Sequence, residues 1–146
     1  MDVAQKNTLL LLATILAIVS LFLTWTSLRD FQIADGFMSG ASISTDFSGL
    51  NGSVLHIDNF WLVIIVVVSA LIHFAFYSDR FAIPSTLCNA LAICSTVLLA
   101  GAVVRPFFNE GCYPGTGAIL CLIGSFLVFR TSPAVTKKHK PDANAG

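Results

Sequence analysis

Long apolar runs separated by short polar breaks set the pattern of this chain. Four blocks stand out, at 8–28, 59–78, 84–104 and 113–130, with no internal Asp, Glu, Lys or Arg. A helix rises about 1.5 Å per residue, so about 20 such residues cover the roughly 30 Å of a bilayer's hydrocarbon core. The fourth block is the shortest and spans only if its flanks reach outward or the bilayer thins. Start signals precede each block. Asn7 is an N-cap for the first and Asp58 or Asn59 for the second, while Pro84 and Pro114 suit the first turns of the third and fourth. The first block is longer than the apolar region of a signal peptide. It leads into Thr24-Trp25-Thr26-Ser27, a poor cleavage site, so it reads as a retained helix.

The pattern predicts an all-α membrane protein, a four-transmembrane-helix bundle. Lys and Arg in the connections orient it. Residues 1–7, the 79–83 turn and the 131–146 tail, with Arg130 beside it, hold Lys6, Arg80, Arg130, Lys137, Lys138 and Lys140. The 29–58 and 105–112 loops hold only Arg29 and Arg105. Both termini are therefore expected in the cytoplasm, in a cell membrane (the inner one in a bacterium). Trp25, Trp61, Phe107, Phe108 and Tyr113 are then expected at the outer interface, where aromatic belts form. The tail, with Pro133, Pro141 and a Lys-Lys-His-Lys run, reads as disordered, solvated and topology-fixing.

The 29–58 loop is rich in Gly, Ser and Asp. Asp35-Gly36 and Asn51-Gly52 are hairpin-turn dipeptides, and apolar residues alternate with Ser and Thr between them, which predicts a short β-hairpin. Asn51-Gly52-Ser53 also matches a glycosylation acceptor, but the turn explains it sufficiently. The layout of four helices with a large first outer loop resembles that of claudin-type four-pass proteins, and Trp25 with Gly49-Leu50 matches part of that family's loop motif. The family's two loop cysteines are missing, and Asn51 stands where it has Trp. The resemblance implies topology, and no function is carried over from it.

Composition sharpens this picture. The chain is 55% hydrophobic and 11% charged, against about 25% charged in soluble domains. Net charge is zero and the basic residues form no single stripe, so a nucleic-acid partner is not expected. Cys88, Cys94 and Cys121 lie in apolar blocks and read as small packing residues. Cys112 falls in a loop. No Cys or His spacing suggests a metal, and His56-x-Asp58 lacks further ligands.

Small residues recur at helical spacing. Ala13, Ala17, Ser20, Thr24 and Ser27 form one stripe on the first block. Gly117, Cys121 and Gly124 form another on the fourth, and Ala90, Cys94 and Gly101 a third. In lipid such stripes let helix backbones approach, and they mark packing seams or a docking face for a partner. His73 and Asn89 lie equally far from Phe81, so an antiparallel hairpin places them at one depth. They are expected to form an intramembrane polar pair, as a clasp between helices or as a proton or ligand site.

With no G-x-S-x-G, H-E-x-x-H or P-loop, neither catalysis nor a cofactor is expected. His56, Asp58, Asp46 and Glu110 are the only loop candidates for acid–base work. The blocks' lack of charged residues argues against ion pumping. The expected role is a non-catalytic accessory or assembly subunit of a larger membrane complex, with the bilayer and other membrane proteins or a second copy as partners. The alternative is an oligomeric channel or transport component lined by Ser20, Thr24, Ser27, His73 and Asn89.

Overall fold

The computed structural model of the protein describes residues 1–32, 42–50, 53–54, 57–78, 81–108 and 112–133. Its helices are α1 (Val3–Ser20), α2 (Asn59–Tyr77), α3 (Ser85–Val104) and α4 (Thr116–Thr131). Three are long and apolar enough to cross a membrane: α1, α2, and α3 continued by the 3₁₀ turn Arg105–Phe108. With 16 residues α4 reaches about 24 Å. The helices pack as a ring in chain order, with α4 closing against α1 and α2 touching α4 across the middle.

The first helix is placed differently from the expectation. Asp2, not Asn7, caps α1: its carboxylate accepts from Gln5 N at 2.7 Å, and the Gln5 side chain accepts from Asp2 N at 3.3 Å. These two bonds satisfy reciprocally two backbone donors at the helix start. The helix ends at Ser20 rather than near residue 28. Thr24, Trp25 and Thr26 are β-branched or aromatic and favour a pleated strand, and β1 (Thr24–Gln32) begins there. Thr24 and Ser27 therefore lie on a strand, and the five-residue stripe is helical only at Ala13, Ala17 and Ser20.

β1 pairs antiparallel with β2 (Ser42–Ser48) on one side and β5 (Cys112–Pro114) on the other. A separate pair, β3 (Ser53–Val54) and β4 (Ile57–Asp58), leads into α2. The strand content of the outer loop thus exceeds one hairpin, and it recruits the second loop. The dipeptides Asp35-Gly36 and Asn51-Gly52, and His56 and Glu110, lie outside the described residues. The fourth block is also divided: its first residues belong to β5, so Pro114 sits in a strand and α4 starts after Gly115. Pro84 is at the N-cap position of α3 rather than in its first turn, and Asp58 is at that of α2 without a side-chain capping bond.

The bundle is sorted by size as much as by polarity. Buried positions hold Ala13, Ala17, Ser20, Ala70, Cys88, Ala92, Ser95, Gly117, Ala118, Cys121, Gly124 and Ser125, with Leu10, Leu62, Val66 and Leu99 between them. Exposed positions hold Leu11, Ile15, Val19, Val68, Leu71, Phe74, Ile93, Val97, Ile123 and Phe126. Water would favour the reverse distribution. Lipid tails are as apolar as Leu, so in lipid the association of helices rests on close backbone approach and interhelical hydrogen bonds.

Candidate functional site

Three features carry polar or close-packed chemistry. The first is at the end of the bundle that carries the β1–β5 pairing. Trp25, expected on the interfacial belt, is instead 1% exposed, and its indole Nε1 donates to Ser20 O at 2.7 Å. Two glycines make room for the ring. A Cβ on Gly49 would stand 2.8 Å from Trp25 Nε1, and one on Gly117 would stand 2.6 Å from Trp25 Cδ1. Gly115 N donates to Trp25 O at 2.7 Å, and a Cβ there would collide with Thr24 O. Trp25 therefore locks the end of α1 to the start of α4. Trp61, Tyr113 and Phe107 are exposed, and Phe108 is 82% exposed.

The second feature is at the opposite end of the bundle, where α4 finishes. His73 and Asn89 do not bond to each other. Both instead reach the exit of α4. Asn89 Nδ2 donates to Pro133 O at 3.1 Å, and His73 Nε2 lies 3.1 Å from Ser132 Oγ. Tyr77 Oη donates to Thr131 O. The other imidazole nitrogen, Nδ1, is 2.7 Å from Ser69 O. A carbonyl only accepts, so Nδ1 carries a proton, and in the neutral ring Nε2 accepts from the Ser132 hydroxyl. Lys6 Nζ sits 4.5 Å from the Tyr77 ring centroid, a cation–π contact that ties α1 to the same cluster.

The cluster has a physical reason. The last carbonyls of a helix lack intrahelical donors, and in an apolar medium each unpaired one costs several kcal/mol. α4 is the shortest helix and its end is buried: Thr131 is fully covered. Side chains of α2 and α3 supply donors that a longer helix would have left to water. Equal depth in the hairpin identified His73 and Asn89 but not their partners. Tyr77, one turn beyond His73 on the same face, was the signal available for the third member. The acceptor Asn89 Oδ1 and the hydroxyl Ser69 Oγ are buried without a partner.

Between these ends, Thr96 and Ser125 hydroxyls lie 2.9 Å apart, and Ser125 Oγ donates to Ser95 Oγ at 3.2 Å, joining α3 to α4. The channel-lining candidates do not share one path. Ser20, Thr24 and Ser27 are at one end of the bundle, His73 and Asn89 at the other, and Ser20 Oγ donates to Ala17 O at 2.6 Å.

The third feature is on α3. Cys88, Ala92, Ser95, Leu99 and Ala102 face the bundle. Ala90 and Cys94 are exposed and Gly101 half-buried, on the opposite side of the helix. By contrast Ala13, Ala17, Ser20, Gly117, Cys121 and Gly124 are all buried, and a Cβ on Gly124 would stand 3.0 Å from Ala13 O. Two stripes are thus consumed inside the bundle and one is presented outward. Cys112 is half-buried on β5, and all four cysteines are free thiols. Among the described residues no group of three or more His, Cys, Asp or Glu gathers to hold a metal.

No protein-family model, no curated protein and no solved structure matches this chain.

Proposed function

We propose that this chain is a four-pass integral membrane protein with both termini in the cytoplasm. In this reading it serves as a non-catalytic accessory or assembly subunit that packs sideways against another membrane helix through α3. The outward stripe of Ala90, Cys94 and Gly101 is the observation that carries it. Ile93, Val97 and Val104 are exposed on the same side of the helix, so small residues alternate with apolar ones along one outward face. Such a surface suits close approach of a second helix, where small residues bring the backbones together. α4 spans in this reading despite its length, because the His73–Tyr77–Asn89 latch lets its inner end stop short of the water.

Cys94 gives the direct test. A short thiol-reactive cross-linker applied to native membranes joins Cys94 to a partner in one defined adduct. The same reagent gives none from Ile15→Cys in a Cys94→Ala background, because Ile15, also exposed, lies on α1 away from the proposed docking face. Equal adducts from both positions, or none from either, overturn the α3 surface. Reporter fusions placing the two termini on opposite sides overturn the four-pass topology.

A further inference from the structure

An open groove of about 510 Å³ lies where the first turns of α1 pass the end of α4, lined by Met1, Asp2, Ala4, Gln5, Thr8, Leu9 and Arg130. That volume falls within the range of small-ligand sites, about 300–1,000 Å³. One wall is apolar, and Leu12, exposed a turn below Leu9, continues it along α1 toward the middle of the bundle. Two opposite charges line the mouth, Asp2 and Arg130, and they form no ion pair with each other.

The remaining polar groups are sorted in the same way. Gln5 uses its side-chain oxygen on Asp2 N, which leaves its amide N–H groups to donate. Thr8 donates its hydroxyl to Ala4 O, which leaves the oxygen's lone pairs to accept. Asp2 gives one carboxylate oxygen to Gln5 N and keeps the other free. The groove therefore offers donors at Arg130 and Gln5, and acceptors at Asp2 and Thr8. A guanidinium matches a phosphate, and a carboxylate matches an ammonium.

We propose that this groove binds a phosphoethanolamine lipid headgroup, its phosphate at Arg130 and Gln5, its ammonium at Asp2 and Thr8, and an acyl chain along Leu9 and Leu12. The side-chain charges of Asp2 and Arg130 cancel, so a net-anionic lipid gains at Arg130 but faces the Asp2 carboxylate. A choline headgroup carries the same charges but no N–H to donate. The proposal rests on the membrane reading above, because a lipid site at this position needs α1 and α4 in a bilayer.

The test uses the full chain in nanodiscs or mild detergent, with lipids of one acyl composition and ethanolamine, choline or glycerol headgroups, and lipid retention read by native mass spectrometry. The ethanolamine lipid is expected to be retained about two- to fivefold over either competitor, the range of one exposed charge-assisted contact. Asp2→Asn keeps the helix cap, since Asn caps as well as Asp. It is expected to erase the preference for ethanolamine over choline and to raise retention of the glycerol lipid. Arg130→Gln is expected to lower all three. Equal retention of ethanolamine and choline lipids, a preference for the glycerol lipid, or an unchanged preference in Asp2→Asn overturns the site while leaving the membrane reading standing. A chain that stays in solution and enters neither nanodisc nor micelle overturns the membrane reading itself.

Discussion

The α1–α4 seam and the outer face of α3 carry the same kind of residue at the same kind of spacing and meet opposite fates. Ala13, Ala17, Gly117, Cys121 and Gly124 are buried against each other's helices, whereas Ala90 and Cys94 face away from the bundle. Small residues permit a close approach but do not say which helix makes it. The strands decide. β1 follows α1, β5 precedes α4, and their pairing draws the two helices together at the outer end. Among the described residues no such tie reaches the far side of α3. The seam is thus tested by stability and the outer face by association.

The largest expected effect is in the seam. Gly117→Val places carbon against Trp25 Cδ1 at 2.6 Å and Ser20 O at 2.8 Å, and neither can yield because the indole is bonded to that same carbonyl. Overpacking of this kind costs about 1–3 kcal/mol, and a valine against backbone belongs at the top of that range. Thermal unfolding in detergent should show a large fall in midpoint or no folded protein. An unchanged midpoint would mean that α4 does not lie against Trp25.

An intermediate effect is expected at the inner latch. Where the outer end is closed by shape, the inner end is closed by hydrogen bonds, and those are worth less. Model studies of polar contacts between membrane helices give about 0.6–2 kcal/mol. His73→Leu leaves Ser69 O and Ser132 Oγ without the ring. Asn89→Leu frees Pro133 O but also removes a buried oxygen that had no partner, so it should cost less than His73→Leu. Proteolysis near residue 133 in detergent reads the same event locally, and both variants should be cut faster than the parent. If the two variants add independently, the residues do not act through the shared exit of α4.

How much of this the residues announced differs by element. α2 and α3 were legible because unbroken apolar runs with Asp58 and Pro84 before them leave few alternatives. The ends of α1 were not. Local apolarity continues through Leu21-Phe22-Leu23, with no Gly or Pro to stop a helix, and only pairing with β2 and β5 turns Thr24 onward into a strand. Trp25 was misplaced for a related reason. An aromatic near a membrane boundary suits the interface, but Gly49 and Gly117, remote in sequence, together open a buried slot for it. His73 and Asn89 were found by counting from the turn. Their partner was missed because Ser132 and Pro133 read as the start of the tail rather than as an end in need of capping.

The smallest effect on stability, and the sharpest on the comparison, belongs to the outer face of α3. Ala90→Leu and Cys94→Leu add volume at exposed positions where the bundle has no contact to lose. Surface changes away from special features stay within about 0.5 kcal/mol, so the unfolding midpoint should match the parent's. The same two changes add bulk to the outward face of α3 and hold a second helix away from the backbone, so recovery of a stoichiometric partner from native membranes should fall sharply. A single-residue enlargement is thus expected to destabilise the protein at Gly117 and to detach a partner at Cys94. If the α3 variants keep their partner, the stripe is a lipid-facing surface and the docking face lies elsewhere. If they lose stability, α3 contacts the bundle on a side that its burial pattern does not show.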